Sequence, residues 1–137
     1  MPTPTQGFLG YVKVGPTVTP TNKVSDVTDI STPWTAAEYD TTSMNADANN
    51  GYTQVIPGLK SGKLAIKANY VPGDTNGQAV LIAAWGAGTL LYFIVSINGT
   101  NTQTFTGYVA DFQPHGPVNN KTDVTYNITV SGAVVFA

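Results

Sequence analysis

The sequence has no cysteine, no arginine and a single histidine among its 137 residues. Without Cys there is no disulfide framework, no Cys-ligated zinc and no thiol nucleophile, although the redox compartment stays open. One His excludes a multi-His metal site within one chain. Charge is scarce as well: ionisable Asp, Glu, Lys and Arg make up 10% of the chain, against about 25% in an ordinary soluble domain. The six Lys and eight Asp plus Glu are scattered singly and leave a net charge of −2. The clustered Lys and Arg of a nucleic-acid grip are therefore missing. Hydrophobic residues reach 42%, enough to fill a core and too many for a disordered chain. Such a chain builds an interior but cannot clothe its exterior in charge. The simplest cover for that exterior is other copies of itself.

The length allows one domain. Residues 1–20 are rich in Pro and Thr, a composition that keeps a chain extended, and are expected to form an N-terminal arm ahead of a folded domain at 21–137. Met1-Pro2-Thr3-Pro4-Thr5-Gln6 lacks the basic region and apolar run of a secretory signal, so a cytosolic start is expected. The charge-free stretch Ala79 to Ile97 approaches the length of a membrane-spanning helix. Gly86-Ala87-Gly88 divides it into an Ala-rich half and a β-branched, aromatic half, and no basic cluster flanks it. A buried helix followed by a buried strand is the expectation, with no membrane as partner.

Thr, Val, Asn, Gly and Tyr dominate, which is strand and turn chemistry. Strands are predicted over residues 7–14, 24–31, 62–71, 89–97, 102–113 and 122–136. In the last, Val124, Tyr126, Ile128 and Val130 alternate with Thr125, Asn127, Thr129 and Ser131. Leu64, Ile66, Ala68 and Tyr70 alternate likewise with Lys63, Ala65, Lys67 and Asn69. Each pattern gives one apolar and one polar face. Asn98-Gly99 marks a hairpin turn. One helix is predicted from Gly77 to Trp85, with Thr75 and Gln78 as a capping box, Gly86 as its stop, and Val80, Leu81, Ala84 and Trp85 on its packed face. The segment from Ser31 to Ser61 is too long for a structureless loop in a compact domain. Its aromatics, with Ile56 and Leu59, favour a long hairpin projecting toward a partner.

No catalytic, cofactor-binding or metal site is predicted. His115 sits in Gln113-Pro114-His115-Gly116-Pro117 and reads as a turn residue. No nucleophile elbow flags a Ser, and Gly86-Ala87-Gly88 lacks the setting of a dinucleotide loop. The triplets at Asn98, Asn120 and Asn127 match the glycosylation pattern, but arise by chance in so Asn- and Thr-rich a chain.

Tyr39-Asp40-Thr41-Thr42-Ser43, then Gly51-Tyr52, then Ile56-Pro57-Gly58-Leu59 follow one another along the chain. A strand, the turn at Tyr70-Val71-Pro72, a short helix and three further strands closing on Val130-Ser131-Gly132 come after. In that order and spacing, residues 20–137 resemble the major tail tube proteins of long-tailed bacteriophages. The tube of type VI secretion shares the architecture, so a contractile or secretion relative stays open. The resemblance implies a mainly β fold, a β-sandwich or partly closed β-barrel flanked by one helix. It also implies a structural virion protein, made in the host bacterial cytoplasm, whose hexameric rings stack into the tube that conducts DNA during ejection. The partners it implies are further copies of the chain, a tape-measure protein and tail completion or baseplate proteins, with DNA passing unbound. Some relatives append an immunoglobulin-like decoration, and no decorating role is carried over.

On this basis Tyr39, Asp40, Thr41, Thr42, Ser43, Tyr52, Ile56, Pro57 and Leu59 are candidates for the ring-to-ring contact. Thr125, Asn127, Thr129 and Ser131 are candidates to face the lumen or a neighbour. The alternative is a small β-sandwich binding module, a capsid decoration or adhesin-like domain, which would stay monomeric or trimeric.

Overall fold

A computed structural model of the chain describes residues 10–40 and 55–137. Among the described residues seven strands and one helix follow in order: β1 (Tyr11–Gly15), β2 (Val27–Ser31), β3 (Trp34–Asp40), β4 (Val55–Asn69), α1 (Gln78–Ala87), β5 (Leu91–Ser96), β6 (Thr102–His115) and β7 (Asp123–Phe136). The sheet runs β1-β5-β6-β7-β4-β2, antiparallel throughout, with β3 also paired to β4. Its two edges nearly meet. The Val24 amide donates to the Val12 carbonyl at 2.9 Å and the Val14 amide to the Asn22 carbonyl at 3.0 Å, so the segment leading into β2 runs beside β1. The result is a nearly closed barrel-shaped sheet with one short helix, as expected of the barrel form rather than the open sandwich.

The alternation in the sequence sets which face is buried. Val124, Tyr126 and Ile128 from β7, Leu64, Ile66 and Ala68 from β4, and Phe93, Val95 and Phe105 from β5 and β6 fill the interior. Phe93 and Phe105 stack at 5.5 Å between ring centres. Leu81 and Ala84 of α1 are buried with this cluster, and the helix packs on β6 and β1.

Most strand ends differ from the sequence expectation by a few residues, residues 7–9 of the first predicted strand lie outside the described residues, and the hairpin expected between Ser31 and Ser61 has strands whose limits the sequence did not mark. β3 and the first half of β4 form an antiparallel pair, Trp34 opposite Gly62 and Asp40 opposite Val55. They are the arms of the expected hairpin. Their side chains are mostly exposed on both faces, so no apolar alternation announces them. The helix also needs correcting. It starts at Gln78, and Thr75 makes no side-chain cap. Instead Asp74 Oδ2 accepts from the Gln78 amide at 3.1 Å and from the Ser25 amide at 2.9 Å. The stop is Gly88 at φ 69°, not Gly86, because only there does the chain enter the left-handed region. Trp85 is half-exposed rather than packed inward, while Gln78 is fully buried. No helix among the described residues is long and apolar enough to cross a membrane.

The Asn98-Gly99 turn is present as a longer loop. Asn98 Oδ1 accepts from the Thr100 and Asn101 amides at 2.9 Å each, and Gly99 donates its amide to Ser96 Oγ at 2.8 Å. His115 ends β6 rather than lying in a turn, its Nδ1 3.3 Å from Asp123 Oδ1 on the exposed surface.

Candidate functional site

Two surfaces carry the candidate residues. The first is the pair of hairpin arms. Tyr39, Val55 and Ile56 are about half-exposed and Leu59 is 80% exposed. Register sets Tyr39 opposite Ile56 and Glu38 opposite Pro57, so the aromatic and the isoleucine are cross-strand neighbours. A bulge between Ala36 and Glu38 shifts the pairing midway along the arms. Thr41, Thr42, Ser43 and Tyr52 lie outside the described residues. At the base of the arms Trp34 closes over Gly62, where an added Cβ would overlap the indole ring. Trp34 Nε1 donates to Gln103 Oε1 at 3.0 Å, and its ring meets Phe105 and Phe136 edge-to-face at 5.6 and 6.0 Å. The arms are thereby fixed to the barrel by an aromatic cluster.

The second surface is the outward face of the sheet. Thr125 and Asn127 are half-buried, and Thr129 and Ser131 exposed, on the side of β7 opposite Val124, Tyr126 and Ile128. Asn127 Nδ2 donates to Asp111 Oδ1 at 2.6 Å, and Thr106 Oγ1 donates to the Ser131 carbonyl at 2.5 Å. Register sets charged residues beside them: Lys63 pairs with Thr129, Lys67 with Thr125, and Asp29 with Lys67. The face thus combines Lys63 and Lys67 with Asp29, Asp111 and Asp123, the last beside His115, so charges of both signs are interspersed on it. Period-two alternation gave the side for each lysine. Only the strand order could bring Asp29 and Asp111 beside them.

Among the described residues no group of three His, Asp or Glu side chains could hold a metal. The surfaces offer apolar area and hydrogen-bonding groups, which is the chemistry of association. The family described as lambda phage tail tube protein (TTP) matches residues 15–137. The chain belongs to that family. It is a structural component of a phage tail tube, and the capsid-decoration or adhesin alternative is not favoured.

Solved structures show that the tail tube fold extends over almost the whole chain. A chain from the tail of an empty gene transfer agent particle, reconstructed with helical refinement and C6 symmetry, superposes with a TM-score of 0.83 at 17% identity, covering 98% of this chain and 99% of that one. A chain from the virion of a native gene transfer agent particle gives 0.80 at 13% identity, with coverage of 98% and 99%. The SPP1 tail tube gives 0.69 at 12% identity, covering 97% of this chain and 78% of that one. A search of curated proteins finds no match. At these identities the shared property is the fold.

Proposed function

We propose that copies of this tail tube chain close into hexameric rings, and that rings stack through the β3–β4 arms to make the conduit for DNA. The row of exposed apolar side chains on the arms, Tyr39, Val55, Ile56 and Leu59, carries the proposal. In a lone molecule those side chains meet water, whereas burial recovers up to about 1.5–3 kcal/mol for Leu59 and about half of that for each of the half-exposed Tyr39, Val55 and Ile56. The C6 symmetry of the gene transfer agent tail, whose subunit has the same fold, favours six copies per ring. A head-to-tail contact closes into a ring when its rotation divides a full turn, and the axial contact then repeats without limit. Tyr39, Asp40, Ile56, Pro57 and Leu59, with Thr41, Thr42, Ser43 and Tyr52 beyond the described arms, make the ring-to-ring contact. Because β1 (Tyr11–Gly15) belongs to the barrel, with Val12 and Val14 fully buried, the arm expected over residues 1–20 is proposed only for the residues ahead of Tyr11.

Thr125, Asn127, Thr129 and Ser131 face the lumen. A face on which Lys63 and Lys67 are interspersed with Asp29, Asp111 and Asp123 lacks the clustered cations that hold phosphates. The chain works by assembly, not catalysis. It is built in the host cytoplasm around a tape-measure protein, and is capped by completion and baseplate proteins.

The test is negative-stain imaging of the purified chain beside two variants, Leu59→Asp and a deletion of Asn45–Gly51. Wild type forms hollow stacked rings. Both variants form dispersed subunits or single rings, and long tubes from either one refute the stacking contact. Thr125→Lys with Thr129→Lys tests the lumen: DNA ejection slows if they line it. Unchanged ejection from tubes of normal length refutes that placement.

A further inference from the structure

Eleven large hydrophobic side chains among the described residues are well exposed, and strand register sorts them into two groups. The strand ends at Gly15, Asn69, Leu91, His115 and Asp123 point one way. Those at Tyr11, Ser96, Thr102 and Phe136 point the other way, as do the arms. From the first set of ends leave α1 and the turns after β1 and β6, which carry Trp85, Val18 and Val118. Seven more belong to the second set: four on the arms, Ile97 after β5, and Val135 and Phe136 at the close of β7. Of the eleven, Tyr108 alone lies along the wall between. The subunit thus has an apolar arm end and an apolar helix end. We infer that the helix end, through Val18, Trp85 and Val118, receives the arm end of a second copy in the next ring, an inference that rests on the stacking reading above.

The helix itself asks for a cover. α1 has one polar side chain, Gln78, and that one is buried. Ala83, Trp85, Gly86 and Ala87 are exposed. A surface helix ordinarily keeps charged or polar residues on its outer side, and one that is apolar all round is covered by protein or lipid. At 10 residues α1 is about 15 Å long, half the thickness of a bilayer's hydrocarbon core. A helix lying in the membrane surface would need a charged face. Protein is the cover that remains.

Symmetry names which protein. A contact that repeats along a tube joins two different surfaces at opposite ends of one subunit, whereas like surfaces meeting in pairs stop at two rings. An apolar arm end therefore calls for an apolar helix end on the next copy. The two ends also differ in relief and charge as partners should. At the arm end a groove of about 540 Å³ opens among Trp34, Val130, Val134 and Phe136. At the helix end Val118 projects with 99% of its surface exposed. In the sequence Glu38, Asp40 and Asp47 stand between Thr35 and Leu59, with no Lys, Arg or His among them. The turn that carries Val118 also carries Lys121, exposed and in no ion pair among the described residues. Acidic arms and a basic turn attract.

Val18→Asp and Val118→Asp each place a carboxylate on the helix end, outside the packing of the subunit. Each should abolish stacked tubes in negative stain while keeping the far-ultraviolet dichroism of the parent. Long tubes from either one overturn the inference. The chain has no native cysteine, so crosslinking gives a second readout that leaves the contact intact. Tubes of the double variant Leu59→Cys, Val118→Cys, treated with a short bismaleimide, should yield a ladder of covalent oligomers. Leu59→Cys alone should stay monomeric. A double variant that stays monomeric overturns the inference, and so does a covalent dimer of Leu59→Cys alone, which would show arm meeting arm. Leu59→Asp separates this outcome from the stacking reading. If it loses its tubes while Val18→Asp and Val118→Asp keep theirs, the arms still stack and the receiving surface is wrong. Long tubes from Leu59→Asp remove both.

Discussion

Gln78→Leu isolates what the one buried polar side chain of α1 contributes. Gln78 is fully buried and all of its bonds are internal. Oε1 accepts from the Val71 amide at 3.0 Å and from the Tyr126 hydroxyl at 3.1 Å, while Nε2 donates to the Asn69 carbonyl at 2.8 Å and the Ser25 carbonyl at 3.0 Å. Four elements therefore converge on one amide: the ends of β4 and β7, the turn into α1 and the turn into β2. Leucine has nearly the same volume, so the packing loss is small and the cost comes from orphaned partners. At about 1 kcal/mol for each of the four, the substitution should cost about 4 kcal/mol, a large share of the roughly 5–15 kcal/mol that holds a domain folded. Urea denaturation of unassembled protein, followed by dichroism, measures this directly. Tyr126→Phe removes one bond yet leaves Oε1 with the Val71 amide, and should cost about 1 kcal/mol. Combining it with Gln78→Leu removes the orphaned hydroxyl and leaves three orphans, so the double variant should cost about 3 kcal/mol, about 2 kcal/mol less than the sum of the singles. A loss under about 1 kcal/mol for Gln78→Leu, or strict additivity, would refute the account.

Burial, helped by nearby Tyr70 and Asp74, pushes the Tyr126 hydroxyl up to about 12 from 10.0. The folded chain thus holds this proton across a range in which the unfolded chain releases it, and stability falls as pH rises from about 10 to 12, by about 2–3 kcal/mol in all. Alkaline denaturation of Tyr126→Phe should lack that component. Gly62→Ala sets a Cβ into the Trp34 ring and should destabilise by about 1–3 kcal/mol, with changed Trp34 emission. An unchanged melting temperature would show that the indole moves aside at no cost.

Much of the barrel was legible because its strands bury one face only. Val124 to Val130 and Leu64 to Ala68 alternate cleanly, and a half-buried sheet requires that alternation. The helix was found from Leu81 and Ala84, but its limits were misjudged. Its start is secured by Asp74 acting across a turn and by the buried Gln78, and its end depends on which of two glycines takes a positive φ. Sequence periodicity encodes neither. The arms were recognised as a hairpin from Trp34, Tyr39, Ile56 and Leu59, although their strand limits were not, since residues exposed on both faces impose no pattern. The polar face of β7 was visible as Thr125, Asn127, Thr129 and Ser131. Its interspersed charges were not, because Asp29 and Asp111 reach it only through the order β6-β7-β4-β2.

β4 runs unbroken for 15 residues, its first half bound to β3 in the arms and its second half laddered to β7 and β2 within the barrel. One backbone serves as both spoke and stave. A tug on the arms therefore finds no hinge at their root, where Trp34 is wedged against Gly62. Tension travels along the strand and loads the ladder from Lys63 to Asn69 in shear, so its hydrogen bonds resist together instead of peeling one by one. Should the arms grip the next ring, as proposed, a tail that bends would share its strain among whole subunits rather than tearing at their seams.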